Sequence, residues 1–395
     1  MNKPTVRKLT PALIGLGALL TYILACTSFS PDDSKVLYIT VDPKSGMNSV
    51  AVYDRKTAKS ELLFEPVTPE ASNTPSAPPV MVRPQWLGDG HDFLAAWLTG
   101  MDNSNASVNL AVLPFDRRGP ARTFSLPDLW EDGPLWFYMR PLPVVGSTVY
   151  INSGSNVLVR LNLETGNVSL QTNEPGLVVL PSPGNDRLFY LAGMTGDPTK
   201  GPNEFGVLDP NTFVRTPLFQ IKDTNASVFS MAVSRDVKRL AYEVDDEKTP
   251  IVHLLETGQP ARTISLASLS ADTEVLLRHF SPKGDVLYGA FRTPNGATQS
   301  DYGIVEVPLD GSPIRRTTLI TGAKGGDKGG FPSFQIDISH DGTTLAVESL
   351  WLGFGDDAVK AEDCALFLVD LTDPQRKVTK VPIPLPPKSR PSPFK

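Results

Sequence analysis

The segment Arg160–Thr172 reads RLNLETGNVSLQT. It contains an alternating stretch, an acidic residue, a turn of Thr, Gly and Asn, and a second alternating stretch. Alternation of apolar and polar residues is typical of a half-buried strand, and a Gly-containing turn between two such runs predicts an antiparallel hairpin. The segment therefore predicts one β-hairpin, and the rest of the chain shows how often this hairpin recurs.

The same pattern occurs six more times. The copies begin at Val52, Leu113, Gly206, Val252, Val305 and Phe367. Each has an acid near the end of its first strand, and the seven acids are Asp54, Asp116, Glu164, Asp209, Glu256, Asp310 and Asp370. Their mean spacing is close to 53 residues. A supersecondary unit that recurs at such a period predicts a repeat architecture.

A second signal alternates with the first and consists of Ser, a polar turn and a leucine-bearing strand. Its copies start at Ser30, Ser182, Ser234, Ser281 and Ser339, with looser versions from Leu87 and near Val145. One unit therefore reads strand, turn, strand, loop, strand, turn, strand. Four antiparallel strands that repeat at about 50 residues are the signature of a propeller blade.

These motifs resemble the TolB-type, WD-like propeller repeats of exported bacterial proteins, over most of residues 30–383. The resemblance predicts an all-β fold, a β-propeller of seven four-stranded blades over residues 34–384, with six or eight blades as alternatives. An unrelated array of β-sandwiches is the competing interpretation. The Pro-rich tail 385–395 is poorly suited to complete the ring. The first blade therefore has three strands, or a stretch near Thr27–Phe29 supplies its inner strand.

The N-terminus has the layout of an export signal. Lys3, Arg7 and Lys8 precede the apolar run Leu13–Ala25. Residues 9–25 would form a helix of about 25 Å, short of the ~30 Å hydrocarbon core of a bilayer. A secretory signal is therefore preferred over a membrane span. An ordinary signal peptide cleaved near residue 25 stays open as an alternative.

Ile23-Leu24-Ala25-Cys26 resembles the lipobox of bacterial lipoproteins. The resemblance implies a signal peptide at 1–25, a lipidated N-terminus at 26–33, and a diacylglyceryl thioether plus an acyl chain such as palmitate on Cys26. Several acyl chains hold a protein firmly on a membrane. Because Thr27 rather than Asp follows the cysteine, the resemblance favours the outer membrane of a bacterial cell envelope. Cys364, the other cysteine, then has no partner in the chain.

Strand alternation divides the connections between two faces of the propeller. The turns between strands 1–2 and 3–4 of each blade share one face, the plain face. The loops between strands 2–3 and the links to the next blade share the opposite face, the loop face. The long irregular segments fall on the loop face, where binding residues are expected on a rigid scaffold. Because the first blade begins near Cys26 at a plain-face turn, we expect the plain face to lie toward the membrane.

Two groups of loop-face aromatic residues are candidates for partner binding. They are Trp130, Trp136, Phe137, Tyr138 and Arg140 in one link, and Trp351 and Phe354 in one loop. Exposed aromatic rings beside an arginine are common in recognition surfaces. The alternative is that they pack against a neighbouring blade or fill the channel.

Several function classes find no support in the sequence. The net charge is −6, or −9 without residues 1–25, and there is no basic block, so nucleic acid is not an expected partner. The four histidines lack metal-ligand spacing, and the glycine-rich segment from Thr321 lacks the Gly-Lys-Ser/Thr of a phosphate loop. No catalytic residue, metal or cofactor is therefore predicted.

The sequence predicts a non-enzymatic envelope lipoprotein whose loop face binds an envelope protein, as scaffold, assembly factor or subunit of a complex. One alternative is a glycan-acting hydrolase or lyase with loop-face acids such as Asp102, Asp197 or Asp301. Such chemistry needs two carboxyl groups about 5–10 Å apart. A second alternative is surface adhesion or carbohydrate binding through the aromatic residues.

Overall fold

A computed structural model describes residues 27–41, 48–64, 82–88, 90–99, 107–116, 120–126, 142–153, 157–172, 177–182, 187–193, 203–221, 228–244, 251–269, 273–296, 299–324, 332–351, 365–381 and 384. In these residues the regular structure consists of 28 strands in seven four-stranded antiparallel sheets. The predicted all-β, seven-bladed propeller is confirmed. Across the same residues no helix is long and apolar enough to cross a membrane.

Each of the seven blades is built from four consecutive strands, numbered from the channel outward. Blades 1 and 2 contain β1 Ser28–Phe29, β2 Lys35–Val41, β3 Asn48–Asp54, β4 Lys59–Phe64, β5 Val82–Trp86, β6 Asp92–Thr99, β7 Ser107–Pro114 and β8 Arg122–Leu126. Blades 3 and 4 contain β9 Val144–Val145, β10 Thr148–Ser153, β11 Val157–Asn162, β12 Val168–Thr172, β13 Val178–Pro181, β14 Leu188–Ala192, β15 Glu204–Leu208 and β16 Arg215–Gln220. Blades 5 to 7 contain β17 Val228–Val233, β18 Arg239–Val244, β19 Ile251–Glu256, β20 Arg262–Ser265, β21 Glu274–Phe280, β22 Val286–Pro294, β23 Gln299–Pro308, β24 Arg315–Lys324, β25 Pro332–Ile338, β26 Thr344–Trp351, β27 Ala365–Asp370 and β28 Val378–Val381.

The hydrophobic core is divided among the seams between blades. The described residues form seven clusters of buried side chains, and each joins one pair of neighbouring blades. The seam between blades 7 and 1, for example, combines Phe29 and Tyr38 with Leu366 and Val381. Because every sheet buries residues on both sides, burial of apolar surface holds the blades side by side as a closed ring.

The inner strand of blade 1 comes from the N-terminal end of the described chain. Ser28 and Phe29 pair with Leu37 and Val36 of β2. Of the two possibilities left open by the sequence, the contribution from Thr27–Phe29 is therefore observed. The first sheet begins at Ser28, ahead of residue 34, and among the described residues no strand from the C-terminal part of the chain joins it.

Side chains of blade 7 hold blade 1 at this seam. The Phe29 N–H donates to Asp337 Oδ2 at 2.9 Å, and the Ile39 N–H donates to Glu348 Oε1 at 2.7 Å. Burial raises the pKa of Asp337, although the Phe29 N–H favours its charged form. On the plain face Arg55 donates to Thr344 Oγ1 at 2.7 Å. If strands from both ends of the chain shared one sheet, main-chain hydrogen bonds would close the ring. Here these side-chain bonds take that role.

At two further seams, one amide side chain bonds both main-chain groups of a residue in the next blade. Gln85 bonds both the N–H and the C=O of Leu142, at 3.0 and 3.1 Å. Asn152 bonds both groups of Val179, at 2.8 and 2.9 Å. An unpaired main-chain group in a seam would cost about as much as a lost hydrogen bond, so these side chains stabilise the approach of neighbouring blades.

Glu243 makes the corresponding contact between blades 5 and 6 and is almost completely buried. Its Oε2 accepts from the Ser230 hydroxyl and from the Leu277 N–H, the latter at 3.2 Å. Burial raises the pKa of Glu243 from 4.5 to about 7. Between these values the folded protein binds a proton that the unfolded chain has lost, so this residue's contribution to stability falls as the pH rises.

We expect Glu243→Gln to be more stable than the unaltered protein at pH 8, by roughly 1–3 kcal/mol, because the amide keeps the shape and never ionises. The difference should narrow as the pH falls to 5. Chemical unfolding of both proteins at the two pH values measures it, with exposed Glu164→Gln as the matched control. A difference that does not depend on pH would contradict the assignment.

Candidate functional site

The turns of the plain face satisfy their own polar groups. In the turns between strands 1 and 2, a serine donates to a nearby aspartate: Ser30 to Asp32 at 2.6 Å, and Ser234 to Asp236 at 2.6 Å. The hydroxyls of Ser30 and Ser34 lower the pKa of Asp32 well below its ordinary value. The repeated serine is therefore a structural residue of the turn.

The acids of the turns between strands 3 and 4 have the same kind of role. Asp54 accepts from the N–H groups of Lys56 and Thr57 at 2.9 and 2.8 Å, and the Thr57 N–H lowers the pKa of Asp54. Asp209, Asp310 and Asp370 make equivalent bonds. A carboxylate held by its own turn is not available for chemistry with a ligand.

Two of the repeated acids differ from this pattern. In blade 3 the N–H groups of the turn donate to Asn162, while Glu164 is exposed. In blade 5, Glu256 pairs with Arg239 at 2.7 Å and with Arg262 at 3.2 Å. The sequence pattern located these turns correctly but did not distinguish which polar side chain closes each one.

The described part of the loop face is most extensive in blade 6, where β22, β23 and β24 are 9, 10 and 10 residues long. Glu274 and Arg292 form an ion pair at 3.0 Å, with side chains 47% and 21% exposed. Arg292 also donates to Ser300 Oγ at 3.2 Å. We call Glu274, Arg292, Ser300, Asn295 and Asp301 the blade 6 rim.

Asp301, one of the acids considered for glycan chemistry, is part of this rim. Its Oδ1 accepts from the Gly322 N–H at 2.8 Å and from the Asn295 side-chain amide at 3.1 Å. Both bonds join chain segments at the loop-face end of the blade. This arrangement suits a structural carboxylate that closes the β22–β23 hairpin. Asp102 and Asp197 lie outside the described residues.

The residues predicted to bind a partner lie mainly outside the described residues. This is so for Trp130, Trp136, Phe137, Tyr138, Arg140 and Phe354, and for the lipidation candidate Cys26. Trp351 is the last residue of β26 and pairs with Pro332 at the loop-face end of blade 7, next to blade 6. Its backbone therefore lies on the predicted face.

The Glu274–Arg292 pair was not found from the sequence. The two residues are directly opposite each other on β21 and β22, so hairpin register could have indicated them. A register shift between Leu277 and His279 moves the pairing by one residue. Residue pairs counted outward from the Ser281 turn therefore do not place Glu274 opposite Arg292. No group of three or more metal-ligating side chains occurs among the described residues.

Comparison with known proteins identifies the fold. No protein-family model and no curated protein matches the chain. A complex of KlAtg21 with the coiled coil of AgAtg16 matches with a TM-score of 0.53 and 12% identity, over 91% of this chain and 98% of that one. The β-propeller domain of the Trilobed protease from Pyrococcus furiosus, which has an open velcro topology, matches with a TM-score of 0.53 and 9% identity, over 91% and 98%.

TolB from Acinetobacter baumannii matches with a TM-score of 0.38 and 12% identity, over 76% of this chain and 68% of that one. At these identities the similarity concerns the fold. The chain is a β-propeller, like the domain of the Trilobed protease that it matches.

Loss of the Asp301 carboxylate should loosen the blade 6 rim. We expect Asp301→Ala to speed hydrogen exchange at the Gly322 amide and to destabilise the protein by roughly 1–2 kcal/mol, because two donors lose their acceptor. Asp301→Asn retains an Oδ1 acceptor and is the matched control, with exchange near that of the unaltered protein. Unchanged exchange at Gly322 in the alanine variant would show that this bond does not hold the rim.

Proposed function

We propose that the chain is a non-enzymatic lipoprotein of the bacterial cell envelope, in the outer membrane. Its loop face would bind an envelope protein, so that the propeller acts as a scaffold, an assembly factor or a subunit of a complex. The membrane is reached through the lipid on Cys26, and the partner through the ends of several blades at once.

The difference between the two faces is the observation that carries this proposal. On the plain face, short turns bond their own serine and aspartate side chains, as at Ser30 and Asp54. The connections at residues 65–81, 127–141 and 352–364 all leave the sheets at the loop face. A rigid ring that presents long connections together on one side offers a broad composite surface, which suits a protein partner.

The blade 6 rim supports a protein partner rather than a small substrate. It combines two carboxylates, a guanidinium, a hydroxyl and an amide, and each of these groups already bonds another group of the rim. Exposed polar groups of mixed charge are typical of the outer part of a protein interface. Trp351 and Phe354, predicted to bind a partner and part of the neighbouring blade 7, would supply an apolar part of the same surface.

The direction of β1 changes the expected orientation at the membrane. β1 runs antiparallel to β2 and ends at the plain-face turn, so the chain traced backward from Phe29 to Ser28 leads toward the loop-face end. Only Thr27, which is buried, separates Cys26 from this strand. A bilayer holding the lipid on Cys26 would therefore face the loop-face end of the channel. We infer that an anchored propeller turns its loop face toward the membrane, and that its partner lies at the membrane surface.

Cys26→Ser should prevent lipidation, because the thioether requires the thiol. The expected result is an uncleaved precursor that lacks diacylglyceryl and acyl groups when its N-terminus is analysed by mass spectrometry. Cys364→Ser is the matched control and should be processed and membrane-extracted normally. Identical processing and membrane binding of Cys26→Ser would contradict the proposed anchor.

A photo-crosslinking residue should capture the partner from one face only. We expect a discrete adduct in living cells when it replaces Pro294, which is exposed at the end of β22 on the loop face. The same residue at Gln259, exposed in a plain-face turn, is the control and should give no such adduct. An adduct at Gln259 alone would move the binding surface to the plain face and contradict the proposal.

A further inference from the structure

The outer strands of the blades are sheet edges, and six of the seven contain a basic residue. These strands are β4, β8, β16, β20, β24 and β28, with Lys59, Arg122, Arg215, Arg262, Arg315 and Lys380 respectively. β16 also contains Pro217. Charged side chains and proline on an edge prevent it from pairing with another strand, so these six edges are protected.

β12, the outer strand of blade 3, lacks both forms of protection. Its sequence is VSLQT, and residues 165–173 contain no charged residue and no proline. Val168 and Leu170 are 47% and 63% exposed. They lie opposite Leu161 and Val159, which are fully buried in the seam between blades 2 and 3. An apolar stripe therefore continues from the seam to an unprotected edge.

The hydrogen bonds of the hairpin show which main-chain groups point outward from this edge. The Asn162 N–H donates to the Asn167 C=O at 3.0 Å, and these residues are directly opposite. Bonded and non-bonded pairs alternate along an antiparallel ladder. Ser169 and Gln171 therefore bond to β11, and the N–H and C=O groups of Val168, Leu170 and Thr172 point away from the sheet.

We propose that β12 is a strand-pairing site and that its occupant is a second copy of this chain, joined antiparallel through the same strand. Pairing Leu170 with Leu170 of the copy places Val168 opposite Thr172. This register uses all the outward main-chain groups of the strand. It also covers Leu170 with its own copy, as cross-strand apolar pairs do in sheets.

Charge supports a second copy as the occupant. A two-fold interface brings each residue close to itself, so any basic residue near the axis meets its own charge. In the other six outer strands, pairing with a copy would place an arginine or lysine of each chain within the contact. Of the seven outer strands described, β12 alone would pair with its copy without a charged side chain in the contact. The inference is independent of the proposed lipid anchor.

The contact is small. Five residues on each side bury far less than the roughly 1,200 Å² of a stable interface, so we expect a reversible dimer that forms at high protein concentration. The full chain, isolated in detergent, should show a monomer–dimer equilibrium by sedimentation equilibrium. Leu170→Lys should weaken the dimer at least about tenfold, because it removes the apolar pair and opposes two like charges.

Val378→Lys is the matched control. Val378 is an exposed valine of β28, an outer strand that already contains Lys380, so this variant should dimerise like the unaltered protein. Unfolding midpoints of both lysine variants show that folding is retained. A dimer that Leu170→Lys leaves unchanged, or a protein that stays monomeric throughout, would overturn the proposal.

A cysteine at the same position tests the register. Opposite residues of a bonded antiparallel pair have Cα atoms about 5.5 Å apart, within the range of a disulfide. Leu170→Cys should form a disulfide-linked dimer on mild oxidation, while Val378→Cys, which retains Cys26 and Cys364, should not. Protection of the Leu170 amide from exchange only when another envelope protein is present would assign the edge to a heterologous strand and overturn the second copy.

Discussion

Closure of the ring between blades 7 and 1 is the constraint on which the rest of the propeller depends. Each blade is made of consecutive strands, so within the described part of the chain no main-chain ladder joins blade 7 to blade 1. The seam is instead held by a buried apolar cluster and by Asp337 and Glu348, which accept N–H groups of blade 1. Both carboxyl groups are held between two blades, and each replaces a ladder bond that the topology cannot make. The burial that raises the pKa of Asp337 follows directly from this arrangement.

The same constraint connects the N-terminus to the stability of the ring. β1 contains two residues, yet Phe29 contributes to the closing cluster and Trp86 of blade 2 donates to the Ser28 C=O at 3.0 Å. The segment therefore contacts blades 1, 2 and 7. A lipid on Cys26 would transmit any pull from the membrane to these two residues, and displacement of β1 would expose the seam. The proposed anchor and the closure of the ring would therefore depend on the same strand.

Contacts within a blade were predictable from the sequence, whereas contacts between distant blades were not. Strand pairs such as β11 and β12 lie within one hairpin, so alternation and turn residues identify them. The bond between Phe29 and Asp337 joins residues 308 positions apart, and neither residue has a local signal for the other. The sequence also does not show which polar residue of a turn accepts its hydrogen bonds, as Asn162 and Glu164 illustrate. Both are polar residues of one turn, and only the backbone geometry selects Asn162 as the acceptor.

Edge protection and seam contacts are coupled in this propeller. Arg122 and Arg262, on the outer strands of blades 2 and 5, each donate to a plain-face carbonyl of the next blade, at Leu163 and Leu309. Each of these arginines thus places a positive charge on an outer strand and also donates a hydrogen bond to the next blade. β12 has no such residue, so the seam between blades 3 and 4 lacks this contact. It has the smallest apolar cluster described, with six fully buried residues, and depends on Asn152 and Tyr150 for its polar contacts. The neutral strand proposed for pairing therefore also leaves the polar contacts of this seam to β10, through Asn152 and Tyr150.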